Sequence, residues 1–127
     1  MEIVRRAFEA DQQGEYWADA LHPEVEWDYS AYPGLDLEVQ GRGREGYLRL
    51  SDRYRRAWIG YQAALKELID AGEDVVVVVH ETARARGTEM LIERDLVSVV
   101  TFRAGRAVRL RAYQTKEEAL EAVGLRE

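Results

Sequence analysis

The chain has 127 residues, a formal net charge of −6 and no cysteine, so a single domain over 1–127 without disulfides, thiolate metal sites or cysteine nucleophiles is expected. Its apolar share of 46% and charged share of 33% exclude a disordered or fibrous chain, and the two histidines argue against a histidine-rich metal site. The negative charge argues against a nucleic-acid partner, and no apolar run approaches the ~18 residues of a membrane span, which predicts a cytoplasmic protein without a membrane partner.

The chain opens with two predicted helices, over 1–13 and 15–21, and Pro23 is expected to end the second. Residues 24–29 alternate between apolar and polar side chains, which predicts a strand. The apolar side chains that share one face of this strand are Val25, Trp27 and Tyr29. Asp28 faces the opposite way in the same alternation.

A short edge strand over 37–39 and a turn over 40–43 are predicted before a long helix over 44–58. That helix is predicted from aromatic and polar residues at helical spacing, namely Tyr47, Ser51, Tyr54 and Trp58. The second half predicts four antiparallel strands, over 61–69, 75–86, 89–102 and 106–114. Five consecutive valines in the second of them indicate burial on both faces, and Thr115 with Glu118 predicts a capping box for a last short helix. This order predicts an α+β domain with its helices gathered on one face of a curved sheet, which leaves room for a pocket.

The two hairpins of the second half determine which side chains share a face. A three-residue loop over 103–105 would place Ser98 opposite Leu110 on an inner face. A two-residue turn over 87–88 would place Glu81 opposite Arg94 on that inner face, and His80 opposite Asp95 on the outer face. A one-residue slip exchanges these faces. The outer face mixes valines with charges, which is typical of a protein–protein interface; its members are Asp95, Val97, Val99, Arg109, Arg111 and Tyr113.

Six segments carry a resemblance to a known family: IVRRAFEADQQGE, LHPEVEWD, GRGREGYLRL, LIDAGEDVVVVV, VTFRAGRAVRLRAY and TKEEALEAVGL. In this order they resemble the SnoaL-like polyketide-cyclase family, within the superfamily of ketosteroid isomerase, limonene epoxide hydrolase, scytalone dehydratase and nuclear transport factor two. The resemblance implies a cone-shaped, cystatin-like α+β barrel, in which a curved, antiparallel-rich mixed sheet wraps around N-terminal helices. It also implies a homodimer through the outer sheet face. No cofactor is expected for this chain.

Glu81 and Arg94 form the first candidate for chemistry. A carboxylate held by arginine in a dry pocket acts as a base or orients a water molecule, and the alternative is a cross-strand salt bridge. Limonene epoxide hydrolase resembles this arrangement but has a further aspartate where this chain has Ala112.

Asp28 and Ser98 are the candidates that ketosteroid isomerase suggests. Trp27 matches the position of that enzyme's aspartate base, and Asp28 follows it by one residue. Ser98 matches the position of its protonated aspartate, and a hydroxyl also donates a hydrogen bond. The alternative for Asp28 is a solvated strand residue.

Two further groups have alternative explanations. Aromatic side chains suited to a flat, partly apolar ligand are Trp17, Trp27, Tyr29, Tyr54 and Trp58; alternatively, they fill the cone. His80 with Asp95 forms either an acid–base dyad or a pair at a dimer interface.

The sequence therefore predicts a protein that binds a small, partly apolar, aromatic or polycyclic molecule, with acid/base isomerisation, dehydration or cyclisation as its candidate chemistry. The alternative is a non-catalytic binding domain or a dimeric structural domain with a filled cone.

Overall fold

A mixed six-stranded sheet with one helix on each face forms the described part of the chain in this computed structural model. The structure describes residues 20–31, 40–56, 58–85, 87 and 90–125. Its elements are β1 (Leu21–Asp28), β2 (Gln40–Arg42), α1 (Arg44–Arg56), β3 (Trp58–Ala71), β4 (Asp74–Ala85), β5 (Leu91–Arg103), β6 (Arg106–Tyr113) and α2 (Lys116–Ala122). The strand order is β2-β1-β6-β5-β4-β3, in which β1 runs parallel to β6 and the other pairs are antiparallel. Within this part of the chain β2 and β3 are the edges, so the α+β sheet is not closed.

The helix α1 covers one face of the sheet, which we call the inner face. Its buried side chains Tyr47 and Leu50 belong to one core with alternate residues of the strands. Those strand residues are Leu21, Val25, Trp27, Val75, Val77, Val100, Ala107 and Leu110. The predicted helix over 1–13 and residues 15–19 of the predicted helix over 15–21 lie outside the described residues.

The opposite face, which we call the outer face, has a second core under α2. The side chains of Ala119 and Leu120 pack there on four buried valines. These valines are Val76, Val78, Val97 and Val99. The N-cap hydrogen bond of the predicted capping box is present, because the Glu118 amide donates to Thr115 Oγ1 at 3.1 Å, while the Glu118 carboxylate accepts from the Thr115 hydroxyl at 3.3 Å. The expectation that all helices lie on one face is wrong, because the valine run is apolar on both faces and each face needs a cover.

The elements at the β1 and β2 end of the sheet differ from the predictions. Leu21 begins β1 instead of ending a helix, because it pairs with Ala107 of β6. Pro23 lies inside β1, where the ladder is irregular between Leu21 and Glu26, and a proline without an N–H is tolerated at such a position. The predicted turn over 40–43 instead contains β2, and the predicted strand over 37–39 lies outside the described residues.

The hairpin between β5 and β6 has a two-residue loop instead of the predicted three-residue loop. Ala104 and Gly105 both have positive φ, 52° and 80°, which is the backbone of a type I′ turn. The shorter loop and the bulge that follows it each shift the pairing by one residue, so Ser98 lies opposite Ala112 instead of Leu110. Because this shift is two residues, the predicted face of Ser98 is kept although its partner is not.

Candidate functional site

Glu81 is a carboxylate on the inner face of β4 and is only 2% exposed. The register places it between Ala63 of β3 and Arg94 of β5. Arg94 Nε donates to Glu81 Oε1 at 2.6 Å, and this guanidinium is the partly exposed member of the pair. The predicted register is thus present, and it puts a charge-assisted hydrogen bond on a mostly apolar face.

Ser98 shares the inner face with Arg94 but stands on a different part of β5. It pairs with Val77 on one side and Ala112 on the other. Four residues of extended strand separate Ser98 from Arg94, which is ~13 Å along the chain. The structure therefore brings Glu81 and Arg94 together and does not bring Ser98 into contact with them.

Asp28 lies on the outer face, because it alternates along β1 with the buried side chains of Val25 and Trp27. Its Oδ1 accepts hydrogen bonds from the Ser30 amide at 2.9 Å and from the Ser30 hydroxyl at 2.6 Å. These hydrogen bonds, with a further one from Gln40, hold the pKa of the Asp28 carboxyl below its ordinary value. Asp28 is therefore a turn-capping carboxylate on the outer face, on the opposite side of the sheet from Glu81 and Arg94.

Two of the predicted ligand-binding aromatics, Trp27 and Tyr29, meet Tyr47 of α1 on the inner face. The ring centroids of Trp27 and Tyr47 are 6.5 Å apart, and those of Tyr29 and Tyr47 are 5.7 Å apart, both edge to face. The Tyr29 and Tyr47 hydroxyls are 3.0 Å apart, and Trp27 Nε1 donates to the Gly43 carbonyl at 3.2 Å. These contacts give the inner face an aromatic wall with polar tips at its β1 end.

The remaining predicted aromatics are distributed differently. Trp58 begins β3 opposite Ala85 and is not on the helix, because α1 ends at Arg56. Glu81 and Ala83 of β4 are buried on the inner face, and Trp58 pairs two residues further along that strand, so the register places Trp58 on the same face. Tyr54 lies on α1, but its side chain is outside the described residues, as is all of Trp17.

The indole ring of Trp27 lies so close to the backbone of Gly41 in β2 that a side chain at this position would clash with it. A Cβ atom at Gly41 would stand 2.6 Å from Trp27 Cζ2, closer than two carbon atoms approach. We expect Gly41→Ala to lower the free energy of unfolding by about 1–3 kcal/mol, since the buried ring must shift. Urea unfolding followed by circular dichroism measures this effect. Gly46→Ala is the matched control: its Cβ would stand 3.1 Å from the same atom, and alanine's higher helix propensity offsets the contact, so a loss equal to that of Gly41→Ala would contradict the explanation.

A charged cluster lies on the outer face of β4 and β5. It is centred on His80 and Asp95, the pair next to Glu81 and Arg94 in the strand ladder. His80 Nδ1 is 2.8 Å from Asp95 Oδ1, and His80 Nε2 is 2.9 Å from Glu93 Oε1. Lys66 Nζ donates to the other Asp95 oxygen at 2.7 Å. The hydrogen bonds to Asp95 and Glu93 raise the pKa of His80, and the hydrogen bonds from Lys66 and His80 lower the pKa of Asp95. The predicted His80–Asp95 pair is present, and Lys66 and Glu93 join it through cross-strand neighbours that sequence spacing alone did not indicate.

The cluster predicts a pH-dependent share of stability. Because the folded pKa of His80 is raised above its ordinary value of 6.5, the stabilisation is complete below about pH 6.5 and is lost as the pH rises through the folded pKa. Urea unfolding of the wild type and of His80→Gln at several pH values is the measurement. The difference in unfolding free energy between the two proteins should shrink as the pH rises through that range, and a constant difference would contradict the prediction.

An open depression of about 340 Å³ lies on the outer face where β2, β1 and β6 adjoin. Its charged lining residues are Glu26, Asp28, Arg42, Arg109 and Arg111. Arg42 forms an ion pair with Glu26 across the strands. The sequence pattern indicated the alternating arginines of β6 but not their position beside the carboxylates of β1, because only the parallel pairing makes them neighbours.

The sequence model of the SnoaL-like domain matches residues 4–110. The chain belongs to the SnoaL-like domain family. None of the curated proteins matches the sequence. This match confirms the family resemblance that the six sequence segments carry.

Solved structures share the architecture of this SnoaL-like domain. An NTF2-like protein of unknown function from Burkholderia pseudomallei is 22% identical, with a TM-score of 0.76 over 98% of this chain and 96% of that one. TerC, co-crystallised with polyporic acid, is 22% identical, with a TM-score of 0.74 over 96% of this chain and 95% of that one. A protein of ketosteroid isomerase-like fold from Catenulispora acidiphila, in complex with trimethylamine, is 14% identical, with a TM-score of 0.73 over 98% of this chain and 93% of that one. At these identities the similarity shows the fold.

Among the residues that the structure describes, no helix of this SnoaL-like domain has the length and apolar character that crossing a membrane requires.

Proposed function

We propose that this chain binds a small, partly apolar, aromatic or polycyclic molecule on the inner face of its sheet, beside Glu81 and Arg94. One observation carries the proposal: a carboxylate that is 2% exposed stands on an apolar face and is held by an arginine. Burying such a charge is costly, so its position favours a polar task over stability alone. The aromatic wall at the β1 end of this face, formed by Trp27, Tyr29 and Tyr47, supports a ligand with flat apolar surface.

Acid/base isomerisation, dehydration or cyclisation is the chemistry that we propose for this pair. The Glu81 carboxylate would accept a proton from a carbon next to a carbonyl group and return it elsewhere on the same molecule. The Arg94 guanidinium would stabilise the negative charge that develops on the carbonyl oxygen. Ser98, ~13 Å along β5, would contact a more distant part of a polycyclic ligand. No step of this chemistry needs a cofactor.

Polyporic acid is a suitable probe, since TerC has been crystallised with it. Titration of the protein with polyporic acid, followed by tryptophan fluorescence, gives an apparent dissociation constant. We expect Glu81→Gln to change this constant by about tenfold or more, because the buried pair loses its charge. Glu93→Gln is the matched control, since Glu93 lies on the outer face and should leave the constant unchanged.

Arg94→Lys provides a second variant, which keeps the positive charge but not the planar guanidinium. Unaltered polyporic acid binding in both Glu81→Gln and Arg94→Lys would contradict the proposed site. Binding with a time-dependent change in the absorbance of the compound favours catalysis, and binding without such a change favours the non-catalytic alternative.

We also propose a homodimer through the outer sheet face, at the end that α2 leaves uncovered. Ile59 and Leu91 are 42% and 72% exposed there and flank Arg84 on one ladder position. Exposed apolar side chains on a sheet face are typical of an interface. Sedimentation velocity should show Leu91→Asp shifting the protein towards the monomer, whereas Ala104→Asp, with the same added charge on the opposite hairpin, should not. A wild type that sediments as a monomer at all concentrations would overturn this proposal.

A cytoplasmic location is a further proposal, supported by the high charged share of the chain, and fractionation of cells that express a tagged protein would test it.

A further inference from the structure

We propose that the depression on the outer face between β2, β1 and β6 is a second binding site, which takes the carboxylate group of a small organic acid. The depression is separate from the Glu81–Arg94 pair, since it lies on the opposite side of the sheet. Three arginines and two carboxylates line it, so its formal charge is +1 on a protein whose net charge is −6.

Arg111 is a mostly buried arginine whose donors are not all paired within the described residues. Its side chain is 19% exposed, and its Nε is buried without a hydrogen-bond partner in the described part of the chain. The carboxylate of Asp74 is 3.9 Å from a terminal guanidinium nitrogen of Arg111, and it also accepts a hydrogen bond from the Thr101 hydroxyl. A separation of 3.9 Å is longer than a hydrogen bond, so the terminal N–H groups of Arg111, which lines the depression, are the donors that a ligand carboxylate would accept from.

Arg109 is the second arginine that we expect to contact the ligand carboxylate. It is exposed, lies two residues before Arg111 on the same face of β6, and forms no ion pair within the described residues. Two residues of strand place the two Cα atoms ~6.6 Å apart, so both guanidinium groups can reach one bound anion. The planar edge of a guanidinium matches the two oxygens of a carboxylate.

The two carboxylates that line the depression have partners of their own but keep their negative charge. This charge limits how negative a bound ligand can be. Glu26 pairs with Arg42, and Asp28 accepts from Ser30 and Gln40. Their negative charges remain close to the guanidinium groups of Arg109 and Arg111, and they would repel a dianionic ligand more than a monoanionic one. A monoanionic carboxylate therefore fits the depression better than a phosphate monoester.

Titration of ¹⁵N-labelled protein with sodium benzoate at constant ionic strength tests the site, with benzamide as the uncharged match. The readout is the Nε–Hε signals of Arg109 and Arg111 in the NMR spectrum. We expect a saturable shift of both signals with benzoate and none with benzamide. Arg109→Gln should weaken benzoate binding by about tenfold or more, as measured on the Arg111 signal.

Arg106→Gln is the matched control, since Arg106 is an exposed arginine of the same strand that does not line the depression, and it should leave the binding constant unchanged. Arg109→Lys keeps the charge and should bind benzoate with intermediate strength. Equal shifts with benzamide, a shift that does not saturate, or wild-type binding in Arg109→Gln would each overturn the proposal. Because the two arginines lie away from the inner face, these outcomes are independent of polyporic acid binding beside Glu81.

Discussion

Replacing Arg94 by methionine is expected to lower the free energy of unfolding by about 3 kcal/mol. The physical reason is the position of Glu81, whose carboxylate is 2% exposed and accepts from Arg94 Nε at 2.6 Å. Removal of the arginine leaves a negative charge in a mostly apolar environment without this partner. Urea unfolding at neutral pH, followed by circular dichroism, measures the loss.

Two further variants separate this explanation from a general loss of packing. The double variant Glu81→Met with Arg94→Met removes both polar groups, so it should be more stable than Arg94→Met alone. Arg103→Met changes an exposed arginine at the end of the same strand and should have little effect. A double variant that is less stable than Arg94→Met would show that Arg94 stabilises the fold through contacts other than its ion pair with Glu81.

Replacing Trp27 by alanine is expected to lower the free energy of unfolding by about 4 kcal/mol. Trp27 is buried, contacts Tyr47 edge to face, and donates a hydrogen bond to the Gly43 carbonyl. Its deletion leaves a cavity under β2 and α1 and removes one side of the aromatic wall. Chemical denaturation measures the effect, and the near-ultraviolet circular dichroism of the tyrosines reports the change in the wall.

Trp27→Phe is the control for this second result. Phenylalanine keeps an aromatic ring against Tyr47 but cannot donate to Gly43, so we expect a clearly smaller loss than in Trp27→Ala. Equal losses in the two variants would mean that the hydrogen bond, and not the packing, is the main contribution of Trp27.

The register of the β4–β5 hairpin was predictable because its two strands are regular. The pairs of Glu81 with Arg94 and of His80 with Asp95 are present as predicted. The β5–β6 hairpin was predicted with the wrong partners, because its loop has two residues with positive φ and a bulge follows. Bulges depend on the packing of the strands and leave no distinct pattern in the sequence.

Helical spacing alone was insufficient at Trp58. This residue continues the helical spacing of three and four residues along Tyr47, Ser51 and Tyr54, yet it begins β3 and pairs with Ala85. A single apolar residue fits either period, so pairing with the neighbouring strand decides its structure. For Asp28, by contrast, the alternation along β1 correctly predicted a side opposite to Trp27, and the structure adds the Ser30 contacts that engage its carboxylate.

Local periodicity and the order of segments were sufficient for the α+β class, for the family resemblance and for which residues of one strand share a face. The position of α2 over the outer valines, and that of Arg109 and Arg111 beside the carboxylates of β1, required the folded structure. The reason is physical: contacts between residues distant in the chain depend on how helices and parallel strands pack, and local spacing carries no information about that packing.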